Sequence, residues 1–398
     1  MTLVDTMPGG PFAARPVPGR PVPAPAPALA PAPTLAPGPR GMAGSPDGGH
    51  PAVRALCDLG LLDPEAGASV QVENLSRAHP VWSVLMPDGR RLVVKSSAAE
   101  RGLDLGIEFL VYRLGVWCDP VRHVLPDALV VDEDRHLLVL ADVRAPSTAG
   151  PLTGRSTGTG APTGSLAEQA GWPVLVHPTS VVGLSTSALA AATRALGATL
   201  GALHRGTMGL PLPPARPPVV LAALTADYPA TGAVADHIAV LKADPLLNEA
   251  AGTVAGPVTG CLVNHDMKWD NVVSSGGRTV LLDWEMAGLG DPAWDLGCLL
   301  AEHLVRQPGE TLTVASDEAA VALLRGYAQG ARPRAEIVPV LARRAVTVAG
   351  LRIAQLGLEV VDSLGPHRPT APGRLTERAR SVLLSLDSLT EEVAQCLH

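Results

Sequence analysis

Two periods of apolar residues alternate along this chain. In AVRALCDLGLLD, residues 52–63, they recur at helical spacing, which predicts that folded structure begins near Val53. From Val70 to Lys95 the pattern alternates one in, one out, so strands are expected, joined at the turn Pro87-Asp88-Gly89-Arg90; Lys95 closes the strand RRLVVK. The helical period returns in SAAERGLDLGIEFLVYRLG, which sets Ile107, Leu110, Val111 and Leu114 on one apolar face with Glu108 beside it. HLLVLADV, residues 136–143, reads as the last strand of this small unit and a hinge. From Ser185 the segment LSTSALAAATRALGATLGALHRG is helical as far as Gly206, and helical patterns recur over 217–250 and from Ser316 to the C-terminus. The expected architecture is α+β, a small β-rich lobe over residues 53–143 followed by a larger, mainly α lobe over 144–398.

Two stretches fit neither period. Residues 1–52 form a tail in which proline alternates with alanine, as in PVPAPAPALAPAPTLAPGP. Missing backbone donors and the lack of any apolar repeat predict a disordered, polyproline-leaning segment. Residues 144–165, RAPSTAGPLTGRSTGTGAPTGS, are too long and polar for an ordinary connection and are expected to be a flexible insertion or lid.

The formal net charge of -7 argues against nucleic-acid binding, which depends on a basic face. The charge is uneven, however: nine Arg between Ala331 and Arg380 face only Glu336, Glu359, Asp362 and Glu377. That stretch is either a solvated helical face or a basic acceptor surface. The five cysteines, Cys57, Cys118, Cys261, Cys298 and Cys396, show no C-x-x-C spacing and read as reduced, buried thiols. With no signal-peptide pattern and no run of about 18 apolar residues, a cytoplasmic protein without a membrane span is expected.

The chemistry concentrates in VNHDMKWDNVVSSGGRTVLLDWEMAGLGDPAWD, residues 263–295. CLVNHD is an apolar strand opening into a polar loop, where Asp266 could take the proton of an attacking hydroxyl. Asn271 could hold a metal through its amide oxygen. TVLLDWE is a second strand whose apolar run ends at Asp283, presenting a hard oxygen ligand at the strand tip. The turn Ser274-Ser275-Gly276-Gly277 between them brings Asn271 and Asp283 together. A paired-carboxylate glycosidase would have no use for Asn271 or for Lys95. The chain has only three lysines, Lys95, Lys242 and Lys268, and two of them stand where a phosphotransferase would want one.

These residues resemble the catalytic core of aminoglycoside phosphotransferases and choline kinases, relatives of protein kinases with H-x-D-x-x-x-x-N and D-x-[DE] signatures. The resemblance implies a two-lobed protein-kinase-like fold that uses ATP and Mg²⁺. It makes Asp266 the catalytic base, Asn271 and Asp283 metal ligands with Glu285 adding to the metal shell, and Asp295 a brace for the catalytic loop. Lys95 would hold the nucleotide phosphates, paired with Glu108, Glu100 being the rival partner. There are two departures. Asn264 stands where the family has His, with His265 one place later, and the phosphate loop ENLSRAHPVWSVLMPDGR has no G-x-G-x-x-G. Trp269, Trp284 and Trp294 are expected to pack in the core.

Lys268, two residues after Asp266, matches Ser/Thr protein kinases, where it touches both γ-phosphate and acceptor. HDMKWDN with DWEMAGLGDPAWDLG also resembles the stand-alone phosphotransferases of class V lanthipeptide and thioamitide pathways. That likeness implies a Ser/Thr acceptor in a ribosomally made precursor peptide and a lyase or cyclase partner. A phosphotransferase for a small hydroxylated antibiotic, or a pseudokinase that activates a partner, are the alternatives.

Overall fold

The computed structural model describes residues 49–76, 79–97, 105–143, 164–165, 186–256, 260–275, 277–309, 311–364 and 370–398. The tail as far as residue 48 and, apart from Gly164 and Ser165, the 144–165 insertion lie outside the described residues.

The N-terminal lobe is a five-stranded antiparallel sheet built from β1 (Gln71–Asn74), β2 (Val81–Leu85), β3 (Arg91–Ser96), β4 (Ala128–Asp132) and β5 (Leu137–Ala141), in the order β1-β2-β3-β5-β4. Helix α1 (Pro51–Asp58) covers one face. Side chains of a strand point to opposite faces in turn, and the sequence obeys this. Leu92 and Val94 of β3, with Leu137 and Val139 of β5, bury against Ala52 and Leu56 of α1. Val93 and Lys95, with Leu138 and Leu140, face the other side, toward α2 (Gly106–Gly115). The short α3 (Asp119–Arg122) follows.

The second lobe is helical. Its helices are α4 (Thr186–Thr207), α5 (Val219–Thr225), α6 (Gly232–Lys242), α7 (Pro245–Val254), α8 (Pro292–Leu304), α9 (Glu318–Ala331), α10 (Val338–Leu364), α11 (Thr370–Leu384) and α12 (Leu386–Leu397). Two small pieces of sheet carry its loops. β7 (Cys261–Val263) pairs antiparallel with β10 (Gly288–Gly290), and β8 (Val272–Ser275) with β9 (Arg278–Leu281); Gly164–Ser165, β6, adds to the edge of β8.

Helices α4 and α9 touch backbone to backbone. A Cβ on Gly197 would fall 2.0 Å from the Leu323 carbonyl oxygen, and one on Gly326 2.1 Å from that of Arg194; Gly201 and Gly330 repeat the contact one turn along each helix. Only glycine permits so close an approach. Its consequence for the site is that His204 of α4 meets Tyr327 of α9, with Nδ1 3.0 Å from the phenol oxygen. No described helix is long and apolar enough to cross a membrane.

Candidate active site

Lys95 is the penultimate residue of β3, on the face turned away from α1. Its ammonium lies 2.6 Å from Glu108 Oε2 and 2.8 Å from Asp283 Oδ1. Three elements distant in sequence thus meet at one cation, which is almost wholly buried. Burial works against the Lys95 charge, but Glu108, Asp283 and Glu285 outweigh it and keep the lysine protonated well above its ordinary range. Burial also works against the Asp283 carboxylate, yet Lys95 and Lys268 hold it below the usual carboxylate range. Glu108, buried in α2, is pushed up by burial despite Lys95.

β7 delivers the chain to a polar loop. Asn264 is fully buried: its Oδ1 accepts the Asp266 N–H at 3.1 Å, while its Nδ2 donates to the carbonyls of Asp283, at 2.9 Å, and Leu282, at 3.3 Å. One amide therefore ties the loop holding Asp266 to the strand tip holding Asp283. His265 points elsewhere, its Nδ1 donating to the Arg216 carbonyl at 2.8 Å. Both His265 and Asp283 adopt left-handed backbone, φ 68° and 59°, a conformation that non-glycine residues hold only where their surroundings enforce it. Part of that enforcement comes from Asp295, in the first turn of α8, which accepts the N–H groups of Asn264 and His265, each at 2.8 Å. Asp295 is itself met by His204 Nε2 at 3.2 Å. The glycine-mediated contact of α4 and α9 thereby reaches the polar loop through Tyr327, His204 and Asp295.

Asp266 stands between two cations. Lys268 Nζ lies 2.5 Å from its Oδ2 and Arg352 Nη2 lies 3.7 Å from its Oδ1. Burial raises the Asp266 pKa above the usual carboxylate range, and the two cations only partly counter it. A carboxylate so placed can accept a proton from a hydroxyl entering beside it. Arg352 comes from the middle of α10. It is 2% exposed, donates from Nη1 to Glu359 and has no hydrogen-bond partner for Nε and Nη2 among the described residues. Gln355 holds the same Glu359 oxygen.

Asn271 donates from Nδ2 to the Asp266 carbonyl at 2.9 Å, and its own carbonyl accepts the Leu282 N–H at 2.8 Å. That backbone bond sets Asn271 next to the Asp283 strand tip. Among the described residues none donates to Asn271 Oδ1 or Asp283 Oδ2, so these hard oxygens form a donor set that suits a small divalent cation such as Mg²⁺. No group of three or more His, Cys, Asp or Glu able to hold a metal occurs among the described residues; the pair depends on an amide for its second ligand and on phosphate or water for the rest.

Of the residues expected at the site, Lys95, Glu108, Asp266, Lys268, Asn271 and Asp283 converge. Glu100 lies outside the described residues. Glu285, expected in the metal shell, has its Oε2 2.6 Å from His79 Nε2. Trp269, Trp284 and Trp294 are buried in the main core. Part of the Arg-rich stretch is a solvated face, with Arg332, Arg334, Arg343 and Arg374 exposed. Arg343 pairs with Asp387, Arg344 with Asp291 at 2.5 Å, Arg380 with Asp244, and Arg378 donates to the Gln307 carbonyl. Among the described arginines of the stretch, Arg352 is the one paired with a site residue, Asp266. It was overlooked because its place is 86 residues from Asp266; the available signal was an Arg within the apolar run VTVAGLRIAQLGLEVV. His79 and His204 were also missed, each a lone His in the sequence.

A profile of the phosphotransferase enzyme family matches residues 80–337. Among solved structures, the chain is similar to a choline/ethanolamine kinase family protein from Mesorhizobium loti, with a TM-score of 0.50 and 18% identity over 86% of this chain and 98% of that one. The amicoumacin kinase hAmiN, solved with AMP-PNP, Ca²⁺ and Ami, gives 0.51 and 16% over 84% and 94%. Choline kinase from Cryptosporidium parvum Iowa II gives 0.50 and 8% over 87% and 98%. At these identities the likeness is one of fold. No curated protein matches in sequence.

Proposed function

Since the chain belongs to the phosphotransferase enzyme family, we propose that it moves the γ-phosphate of ATP, with Mg²⁺, onto an alcohol, and that this alcohol is a Ser or Thr side chain of a precursor peptide. The observation that carries the first part is Lys95 Nζ in contact with both Glu108 and Asp283. A cation fixed by carboxylates from α2 and from the strand tip is the arrangement a kinase-type site needs to hold nucleotide phosphates. A divalent ion on Asn271 Oδ1 and Asp283 would neutralise charge on the phosphate oxygens. Asp266 accepts the acceptor's proton as the new O–P bond forms, and the bond from the γ-phosphorus to its bridging oxygen breaks, leaving ADP with the electron pair. Lys268, 2.5 Å from Asp266 Oδ2, would neutralise charge that develops on the phosphoryl group.

The acceptor assignment draws on charge. The Asp266 carboxylate interacts chiefly with Lys268 and Arg352, and the same two cations hold Glu359 below the usual carboxylate range despite its burial. A polycationic sugar would call for surplus acid here. A neutral hydroxyl on a peptide does not. All five cysteines are free, which suits a reducing compartment such as the cytoplasm, where precursor peptides are made. A lyase or cyclase that consumes the phosphorylated residue would be the natural partner.

The test is mass spectrometry of Ser/Thr-rich peptides and of aminoglycosides incubated with the protein, ATP and Mg²⁺. Gain of one phosphate on peptide supports the reading in full. Gain on the sugar alone retains the phosphotransferase and replaces the acceptor. Gain on neither, with ATP bound, makes the protein a pseudokinase.

A further inference from the structure

The segment between β1 and β2 lacks the glycines whose main-chain amides wrap phosphates in many kinases. Its last residues before β2 are His79 and Pro80. β2 pairs with β3 so that Val81 stands opposite Lys95, and His79 therefore lies just beyond the lysine. The imidazole is 4% exposed. Its Nε2 is 2.6 Å from Glu285 Oε2, which belongs to the DWE segment of the second lobe, two residues after Asp283. His79 Nδ1 and Glu285 Oε2 are both buried and neither has a hydrogen-bond partner among the described residues, so the 2.6 Å approach is a close polar contact outside hydrogen-bonding geometry. Burying these atoms unpaired is unfavourable, and the contact with Glu285 is the polar anchor the ring has among the described residues. No other ion pair found among the described residues joins the β1–β2 segment to the second lobe.

We propose that His79 and Glu285 form an interlobe clasp that holds His79 and Pro80, at the entrance to β2, beside the triphosphate of the bound nucleotide, one side-chain pair taking the part of a glycine-rich loop. The inference rests on the phosphotransferase reading above. It also gives Glu285 a role distinct from a metal ligand, which the Asn271 and Asp283 oxygens do not require. Because the clasp spans the phosphates and not the base, its loss should be felt by a triphosphate and scarcely by a monophosphate.

The experiment is titration calorimetry of AMP-PNP and AMP, with Mg²⁺, against the full chain, His79→Ala, Glu285→Gln and the double variant, each checked for an unchanged melting temperature. Each single change is expected to weaken AMP-PNP about tenfold and AMP by less than about twofold, and the double variant should bind no worse than the weaker single one. Glu285→Gln, a conservative change at a partly exposed position, keeps the test open should His79→Ala fold poorly. Unchanged AMP-PNP affinity in either single variant, equal losses for AMP and AMP-PNP, or effects that simply add would overturn the clasp. A wild-type chain that binds no AMP-PNP would instead overturn the phosphotransferase reading on which the clasp rests.

Discussion

Asn264 donates to the main-chain carbonyl of Asp283 at 2.9 Å while its own side-chain oxygen accepts the Asp266 N–H. The residue that departs from the H-x-D signature thus bridges the two acidic positions of the site. Replacing it by Ala removes three hydrogen bonds and leaves buried backbone groups unpaired, a cost of about 1–3 kcal/mol. Asn264→Ala should melt at a lower temperature and lose about tenfold or more in kcat, with the KM for ATP less affected. Steady-state kinetics that left kcat intact would deny Asn264 this bridging role.

Position 95 has two carboxylate partners, and this changes the meaning of a charge swap. Exchanging Lys95 and Glu108 would restore a pair between them but set a new carboxylate against Asp283. The swapped protein is expected to stay inactive. Glu108→Gln should retain more activity than Lys95→Met, because Asp283 still fixes the lysine; Lys95→Met should cost about 10²-fold or more. Phosphate-release assays across the three variants check the order.

Arg352 supplies a third expectation. Truncating one partner of a buried ion pair strands the other, at about 3–5 kcal/mol, so Arg352→Met should destabilise strongly. Glu359→Gln in the same chain should recover part of that loss. If Arg352 serves Asp266 as well as the fold, Arg352→Lys should fold yet lose kcat more than nucleotide affinity. Equal kcat in Arg352→Lys and wild type would confine the arginine to packing.

Asp317 caps α9, its Oδ1 accepting the N–H groups of Ala319 and Ala320, and its Oδ2 lies 2.9 Å from His303 Nδ1. Burial works against this carboxylate, but His303 and the two amides outweigh it and depress its pKa. A depressed carboxylate contributes stability that is complete above its unfolded pKa, about 3.9, and is lost as pH falls through the lower folded value. Asp317→Ala should therefore cost about 1–2 kcal/mol at pH 7, and its deficit against wild type should shrink below about pH 4. Urea melts at pH 7 and pH 3 measure both.

The residues nearest the chemistry were legible because local rules place them. The turn Pro87–Arg90 and the alternation of β3 put Lys95 on the inner face, and the helical period of α2 put Glu108 beside it. The apolar runs ending at Asn264 and Leu282 set Asp266 and Asp283 at strand exits. What could not be read were contacts made by long-range packing. Arg352 reaches Asp266 only once α10 has packed across α8, and His79 meets Glu285 only when the two lobes close. The pairs Gly197/Gly201 and Gly326/Gly330 were visible as small-residue repeats, but a repeat does not name its partner helix. In the 331–380 stretch, composition shows the arginines and hides the acids, Asp387, Asp291 and Asp244, that come to Arg343, Arg344 and Arg380 from elsewhere in the fold.

In the proposed reaction Asp266 accepts the acceptor's proton while other groups bind the nucleotide. This division of roles is tested most directly by comparing the wild type with Asp266→Asn in two measurements on the same preparation, AMP-PNP affinity and phosphate transferred from ATP. Unchanged affinity and a loss of transfer of about 10²-fold or more are expected. Transfer at the wild-type rate by Asp266→Asn, with nucleotide bound, would contradict it.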